Sequence, residues 1–226
     1  MMTTIITIDG PSGSGKGTIS RIIAEEFGLA LLDSGAIYRL AALAALTSGT
    51  AVDDAAALET LAENLDIEFK IEGGGTVSLL AGVDVSSAIR EEETGMAAAS
   101  VASIPGVRSA LLARQRAFAV GAGVVADGRD MGTVVFPQAQ YKFYLTASSK
   151  ERAKRRVLQL EASGAQDVDF DTILADIQAR DAQDMGRATA PLRPAEDAVQ
   201  IDSTALDIDE VVQVIRRTVS SSSNNI

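Results

Sequence analysis

Apolar positions along the chain follow two alternating rhythms. Thr3–Asp9 reads TTIITID, a β-branched apolar run closed by Gly10 and Pro11, and it predicts a short buried strand. From Gly17 to Phe27 the period lengthens. Ile19, Ile22, Ile23 and Phe27 share one helical face, and Gly28 ends the segment. Leu29–Leu32 predicts a second short strand and Ala36–Leu46 a second helix, rich in Ala and Leu. A strand, a turn, a helix and a strand in this order predict a βαβ unit on a parallel sheet.

The middle of the chain breaks this rhythm. Ile67–Ile71, Thr76–Ala81 and Val83–Val85 predict three short strands separated by Gly73-Gly74-Gly75 and Gly82. Turns this tight fit an antiparallel meander and leave no room for crossover helices. Residues from about 63 to 103 therefore read as an insert in a core made of about 1–62 and 104–226, one domain in all. The α/β pattern then resumes. Pro105 opens a helix running to about Val120, and Gly123–Ala126 and Tyr141–Leu145 predict strands. Ser149–Glu161 and Phe170–Met185 predict charged amphipathic helices. Ala198–Ile201 predicts a last strand and Ile208–Val219 a last helix, with Ser220–Ser223, Asn224 and Asn225 as a frayed tail. No internal repeat is present. Five apolar strands with helices between them predict an α/β fold: a three-layer α/β/α core around a five-stranded parallel sheet, plus the small antiparallel insert.

Composition narrows the chemistry. The 226 residues include no cysteine and no histidine. Disulfides, thiolate or imidazole metal sites, cysteine nucleophiles and Ser-His-Asp triads are thereby excluded. Thirty-one acids against 20 bases give a net charge of −11, which argues against nucleic acid as a partner. No apolar stretch approaches membrane-span length, and no basic leader precedes the first glycines. The expectation is a cytoplasmic monomer that acts on small molecules, with no membrane partner.

The strongest chemical signal is Gly10-Pro11-Ser12-Gly13-Ser14-Gly15-Lys16-Gly17-Thr18, between a predicted strand and a predicted helix. Glycines in that context let successive backbone N–H groups turn inward at a helix N-terminus, which suits phosphate. Lys16 can reach the β- and γ-phosphates of a nucleotide. The usual loop pattern has Ser or Thr directly after the lysine. Here Gly17 intervenes, and Thr18 is the hydroxyl able to face the phosphates or Mg²⁺. The plain alternative is a glycine-rich turn with an exposed lysine.

The GKGT ending resembles the loop of nucleoside monophosphate kinases, and further segments extend the resemblance to bacterial cytidylate kinases. Asp33-Ser34-Gly35-Ala36-Ile37-Tyr38-Arg39 follows the second strand. Ala126-Asp127-Gly128-Arg129-Asp130-Met131-Gly132-Thr133 follows the third. Arg180 to Arg187 and Ala190-Pro191-Leu192 are similar to that family's lid, placed here at about 150–187, and the insert is similar to its monophosphate-binding subdomain. The resemblance implies ATP as phosphoryl donor, Mg²⁺ as its ion, and CMP or dCMP as acceptor. It makes Lys16, Arg129, Arg187 and Asp33 the catalytic group. Residues Gly10 to Thr18 together with Arg155 are expected to hold the donor, with Thr18 toward the metal.

For the acceptor the resemblance implies Ser34, Arg39, Arg108, Arg129, Asp130, Arg180, Asp184 and Arg187. Asp130 matches the position that accepts from the cytosine amino group, and Ser34 and Arg108 match others near the base. Arg180 and Asp184 match the pair on the ribose hydroxyls. Asp127 is given the duller role of orienting Arg129, and Asp33 is also readable as a helix cap. Arg152, Arg155 and Arg156 are equally readable as a solvated basic helix face. One position departs from the family pattern: the expected serine hydroxyl nine residues before Arg108 is Ala99 here, with Ser100 beside it. The alternatives are a kinase acting on UMP, AMP or dTMP, or a nucleotide-binding switch module.

Overall fold

The computed structural model describes residues 3–72 and 75–223. The turn expected at Gly73-Gly74 and the tail expected at Asn224 and Asn225 lie outside the described residues. The chain divides into two compact units, one formed by residues up to Leu32 and from Phe118 onward, the other by Asp33–Ala117.

The first unit is built on a five-stranded parallel sheet. Its strands are β1 (Thr4–Asp9), β2 (Ala30–Asp33), β6 (Gly123–Gly128), β7 (Tyr141–Thr146) and β8 (Val199–Asp202), in the order β2-β6-β1-β7-β8. β1 is central, with Ile6 opposite Val125 on one side and Tyr141 on the other. The order reverses direction beside β1, so the loop after β1 opens at a topological switch point, where open α/β sheets take their ligands. Helices α1 (Lys16–Phe27) and α8 (Ile208–Ser223) pack on the sheet. Ile19 and Ile23 of α1 meet Ile6, Ile8, Val125, Phe143 and Leu145 of the strands, and Val211, Val212 and Ile215 of α8 join the same core. α6 (Ser149–Ala162) and α7 (Phe170–Met185) complete the unit. The tail expected at Ser220–Ser223 is instead the last turn of α8. Val219 is buried in the core and carries the helix onward.

The second unit contains α2 (Ser34–Ser48), α3 (Ala55–Glu63), an antiparallel sheet of β3 (Ile67–Glu72), β4 (Gly75–Leu80) and β5 (Val83–Asp84), then α4 (Glu92–Val101) and α5 (Pro105–Arg116). It encloses the expected 63–103 insert and is wider than it. Ala36 and Leu40 of α2 pack with Ile89, and Ile67, Phe69, Leu80 and Val85 close around them. The meander thus buries one face against a helix, as a sheet this small must. Elements not expected include α3, a 3₁₀ turn at Ala88–Arg90, and a turn of π-helix at Met131–Val135 after β6.

Candidate active site

The glycine loop follows β1 directly. A Cβ on Gly10 would stand 1.9 Å from the Leu145 carbonyl oxygen, so only glycine lets the chain leave the sheet at this point. α1 then starts at Lys16 with no side-chain cap and no acid in its first turn. Its first N–H groups have no partner within the helix. Thr18 is exposed on that turn.

Lys16 is buried, and its Nζ folds back to donate to the Pro11 carbonyl at 2.8 Å, with Ser14 Oγ at 3.5 Å. Burial, followed by the positive charge of Arg129, lowers its pKa to about 7, against the opposing pull of Asp127, Asp9 and Asp184. A lysine held this way gains its full charge when an anion arrives.

Arg129 and Arg187 converge on one carboxylate. Asp184 Oδ2 accepts from Arg129 Nε at 3.0 Å, and Asp184 Oδ1 accepts from Arg187 Nη2. Asp184 is 1% exposed. Its own carbonyl accepts from the Leu192 N–H at 2.9 Å, across a turn in which Ala190 takes a φ of 51°. The Ala190-Pro191-Leu192 segment therefore ties back to the residue between the two arginines. Asp184 is thus an acid that holds Arg129 in place. Asp127 lies against the loop, its Oδ2 3.5 Å from where a Gly17 Cβ would stand. Both oxygens expected on a ribose are engaged by guanidinium groups, while Arg180 stands half-buried one turn earlier on α7.

Arg155 is held by the protein. It pairs with Glu151 at 3.0 Å and donates to the Ser203 carbonyl at 2.6 Å, so the expected donor contact competes with an internal one. Its neighbour Arg152 is the residue the sequence reading missed. Arg152 is 4% exposed, donates to the Ser12 carbonyl at 2.9 Å and to the Ala147 carbonyl at 2.9 Å, and grips Asp181 with both Nη atoms. It is a support of the phosphate loop. In the sequence it is one of five basic residues on a charged helix, with no local mark to set it apart.

The second unit holds four of the expected residues. Asp33 caps α2, its Oδ1 accepting from the Ala36 N–H at 2.9 Å, so the capping role is realised. Ser34 is buried and donates to Gln115 Oε1 at 2.8 Å. Arg39 donates to the Ile89 carbonyl at 2.8 Å, with Gly95 against its guanidinium. Arg108 is buried, donates to the Ala102 carbonyl at 3.2 Å and lies 5.5 Å from the centre of the Tyr38 ring.

Asp9, the last residue of β1, was also missed. It is buried, with a pKa raised to about 7, chiefly by desolvation and against the N–H groups of Gly132 and Met131. Among the described residues no cluster of three acids could hold a metal ion, and no single helix is long and apolar enough to cross a membrane.

In a chain of net charge −11, a buried lysine and two carboxylate-tethered arginines are gathered beside a strand–loop–helix phosphate cradle. Fold and site together define a phosphate-loop kinase. The family model described as cytidylate kinase matches residues 6–221. A cytidylate kinase from Saccharophagus degradans is 59% identical, the match covering 95% of this chain and 96% of that one. One from Vibrio cholerae is 56% identical, covering 97% of each. The chain belongs to the cytidylate kinase family.

Proposed function

We propose that this chain transfers the γ-phosphoryl group of ATP to CMP or dCMP, giving ADP and CDP or dCDP, as a cytoplasmic monomer. Supporting this reading are family membership and, above all, the Arg129–Asp184–Arg187 cluster, in which one buried carboxylate aims two guanidinium groups. A switch module would need the loop but not that second concentration of positive charge.

In this reading the donor polyphosphate lies on the N–H groups from Gly10 to Thr18, with Lys16 on the β- and γ-phosphates. An oxygen of the acceptor's phosphate attacks the γ-phosphorus, and the bond to the β-bridging oxygen breaks, releasing ADP. The acceptor is already an anion, so no strong base is required of a chain without histidine. Positioning and charge neutralisation by Lys16, Arg129 and Arg187 do the work. Arg39 is assigned to the acceptor's phosphate, Ser34, Arg108 and Asp130 to its base, and Arg180 with Asp184 to its ribose. Asp33 acts as the cap that sets the start of α2, and Arg155 as a donor-side residue released from Ser203.

Mg²⁺ keeps most of its waters and usually takes one or two protein oxygens beside the phosphates. The exposed hydroxyl of Thr18 on the first turn of α1 fits that requirement. When bound, the ion neutralises charge on the β- and γ-phosphates.

The test is an ADP-release assay over CMP, dCMP, UMP, AMP and dTMP. ADP production should depend on CMP or dCMP, stoichiometrically. Equal or greater turnover on UMP, AMP or dTMP refutes the acceptor, and nucleotide binding without acceptor-dependent turnover refutes the kinase reading.

A further inference from the structure

Asp9 sits on the central strand, opposite Gly128 on β6 and Tyr144 on β7. Its two carboxylate oxygens divide their work. Oδ1 accepts from the Met131 N–H at 2.8 Å, and Oδ2 accepts from the Gly132 N–H at 2.8 Å. These two N–H groups belong to the π-helical turn that begins just after Arg129 and Asp130. The turn is pressed onto β1 at the same place. A Cβ on Gly132 would stand 2.9 Å from Thr7 Oγ1, 3.2 Å from Lys142 Cδ and 3.4 Å from Asp9 Oδ2. Met131 is fully buried and Asp130 nearly so. The backbone of Asp130 is fixed from the other end as well, since its carbonyl accepts from the Val134 N–H at 2.9 Å.

We infer that Asp9 is a positioning residue for acceptor selection: its carboxylate clamps the 131–132 backbone to β1 and so fixes the direction of the Asp130 side chain. The inference rests on Asp130 as the base reader. The clamp uses two oxygens in one plane, which the side-chain carboxyl group supplies. An asparagine offers one oxygen and one NH₂, so one of the two N–H groups would face a donor. The turn would then leave the strand, and Asp130 with it. The charge of Asp9 is also distributed: it faces Lys16, whose cation it supports, and Asp130, whose negative charge opposes it.

Two variants separate this role from general stability. Asp9→Asn keeps the shape and loses one acceptor. Gly132→Ala leaves every charge unchanged and pushes the turn off Thr7. The measurement is kcat/KM for CMP and UMP in each variant, with melting midpoints taken alongside and assays run well below them. Each variant should lower the CMP-over-UMP ratio by at least about fivefold, the scale of one lost buried hydrogen bond. A folded variant with a ratio within about twofold of the parent overturns the assignment even if its melting point falls, since about twofold is less than one typical hydrogen bond. If one variant does not fold, the other decides. Asp130→Asn is run in parallel. A ratio that responds to it but not to the two variants refutes only the role of Asp9. A ratio that ignores Asp130→Asn refutes the base-reading assignment itself.

Discussion

Arg152 and Asp181 form a two-pronged ion pair, Nη1 to Oδ1 at 3.0 Å and Nη2 to Oδ2 at 2.5 Å, and the same Nη1 donates to the carbonyl of Ser12 in the phosphate loop. One guanidinium thus joins α7, the helix that carries Arg180 and Asp184, to the loop expected to hold the donor. Its stem packs there too, since a Cβ on Gly13 would stand 3.3 Å from Arg152 Cβ. Arg152→Ala leaves Asp181 partly buried and unpaired, which should cost about 3–5 kcal/mol of stability. It should also raise KM for ATP. Arg152→Lys restores charge without the fork and should recover only part of the loss. Urea unfolding and ATP titration of both variants check this, and a loss below about 1 kcal/mol, the range of an exposed pair, would contradict it.

Lys16→Met keeps much of the volume and removes the charge beside the donor phosphates. Turnover should fall by at least about 10²-fold, the scale of losing one well-placed electrostatic group. A variant that keeps half of the parent rate would remove Lys16 from the chemistry.

The loop and its lysine were legible because strand, glycines and helix are contiguous and each has a local pattern. Asp9 and Arg152 were not, for a physical reason. The partners of Asp9 lie 122 and 123 residues away, and those of Arg152 lie 29 and 140 away. Nothing beside them in the chain distinguishes a clamp from an ordinary strand-end acid, or a loop support from a solvated arginine. The five sheet strands were readable from apolar runs, whereas α8 outran its expected end because Val219 docks in the core. Asp184 was found by resemblance, but its place between two arginines depends on the fold of residues 184–192.

Two buried groups titrate near neutrality, and their signs oppose. Asp9 is raised from 3.8 to about 7, so its contribution to folding is complete below 3.8 and is lost as pH rises through about 7. Lys16 is lowered from 10.5 to about 7, so its contribution is complete above 10.5 and is lost as pH falls through about 7. Stability of the protein without nucleotide should therefore dip near neutral pH, and Asp9→Asn should flatten the acidic limb. Denaturant midpoints from pH 4 to 10 would show it. A monotonic profile that Asp9→Asn does not alter would contradict it.

The same lysine makes donor binding proton-linked. At pH 8 a group with a pKa of about 7 is mostly neutral, and polyphosphate beside Nζ raises that value. Binding of ATP should then take up close to ~1 proton. Calorimetry in buffers of different ionisation enthalpy measures this directly. Lys16→Met should abolish the uptake, and an unchanged uptake in that variant would place the titrating group elsewhere.

Base choice provides the last prediction. Cytosine presents an amino donor at C4 where uracil presents an acceptor oxygen, so a carboxylate at Asp130 attracts one and repels the other. Asp130→Asn removes the repulsion and should largely abolish CMP-over-UMP selectivity. Ala99, where the resemblance implies a serine near the base, is buried in α4. Ser100 is turned about 100° away on the same helix and cannot substitute. A missing neutral hydroxyl contact weakens preference by about 0.5–1.5 kcal/mol, or roughly 2- to 12-fold. Ala99→Ser should therefore sharpen the preference that Asp130 sets. The measurement is kcat/KM for CMP and UMP in the parent and both variants. If Asp130→Asn leaves the ratio intact, the base is read elsewhere. If Ala99→Ser leaves the ratio unchanged while Asp130→Asn collapses it, Asp130 alone sets the choice and position 99 lies out of reach of the base.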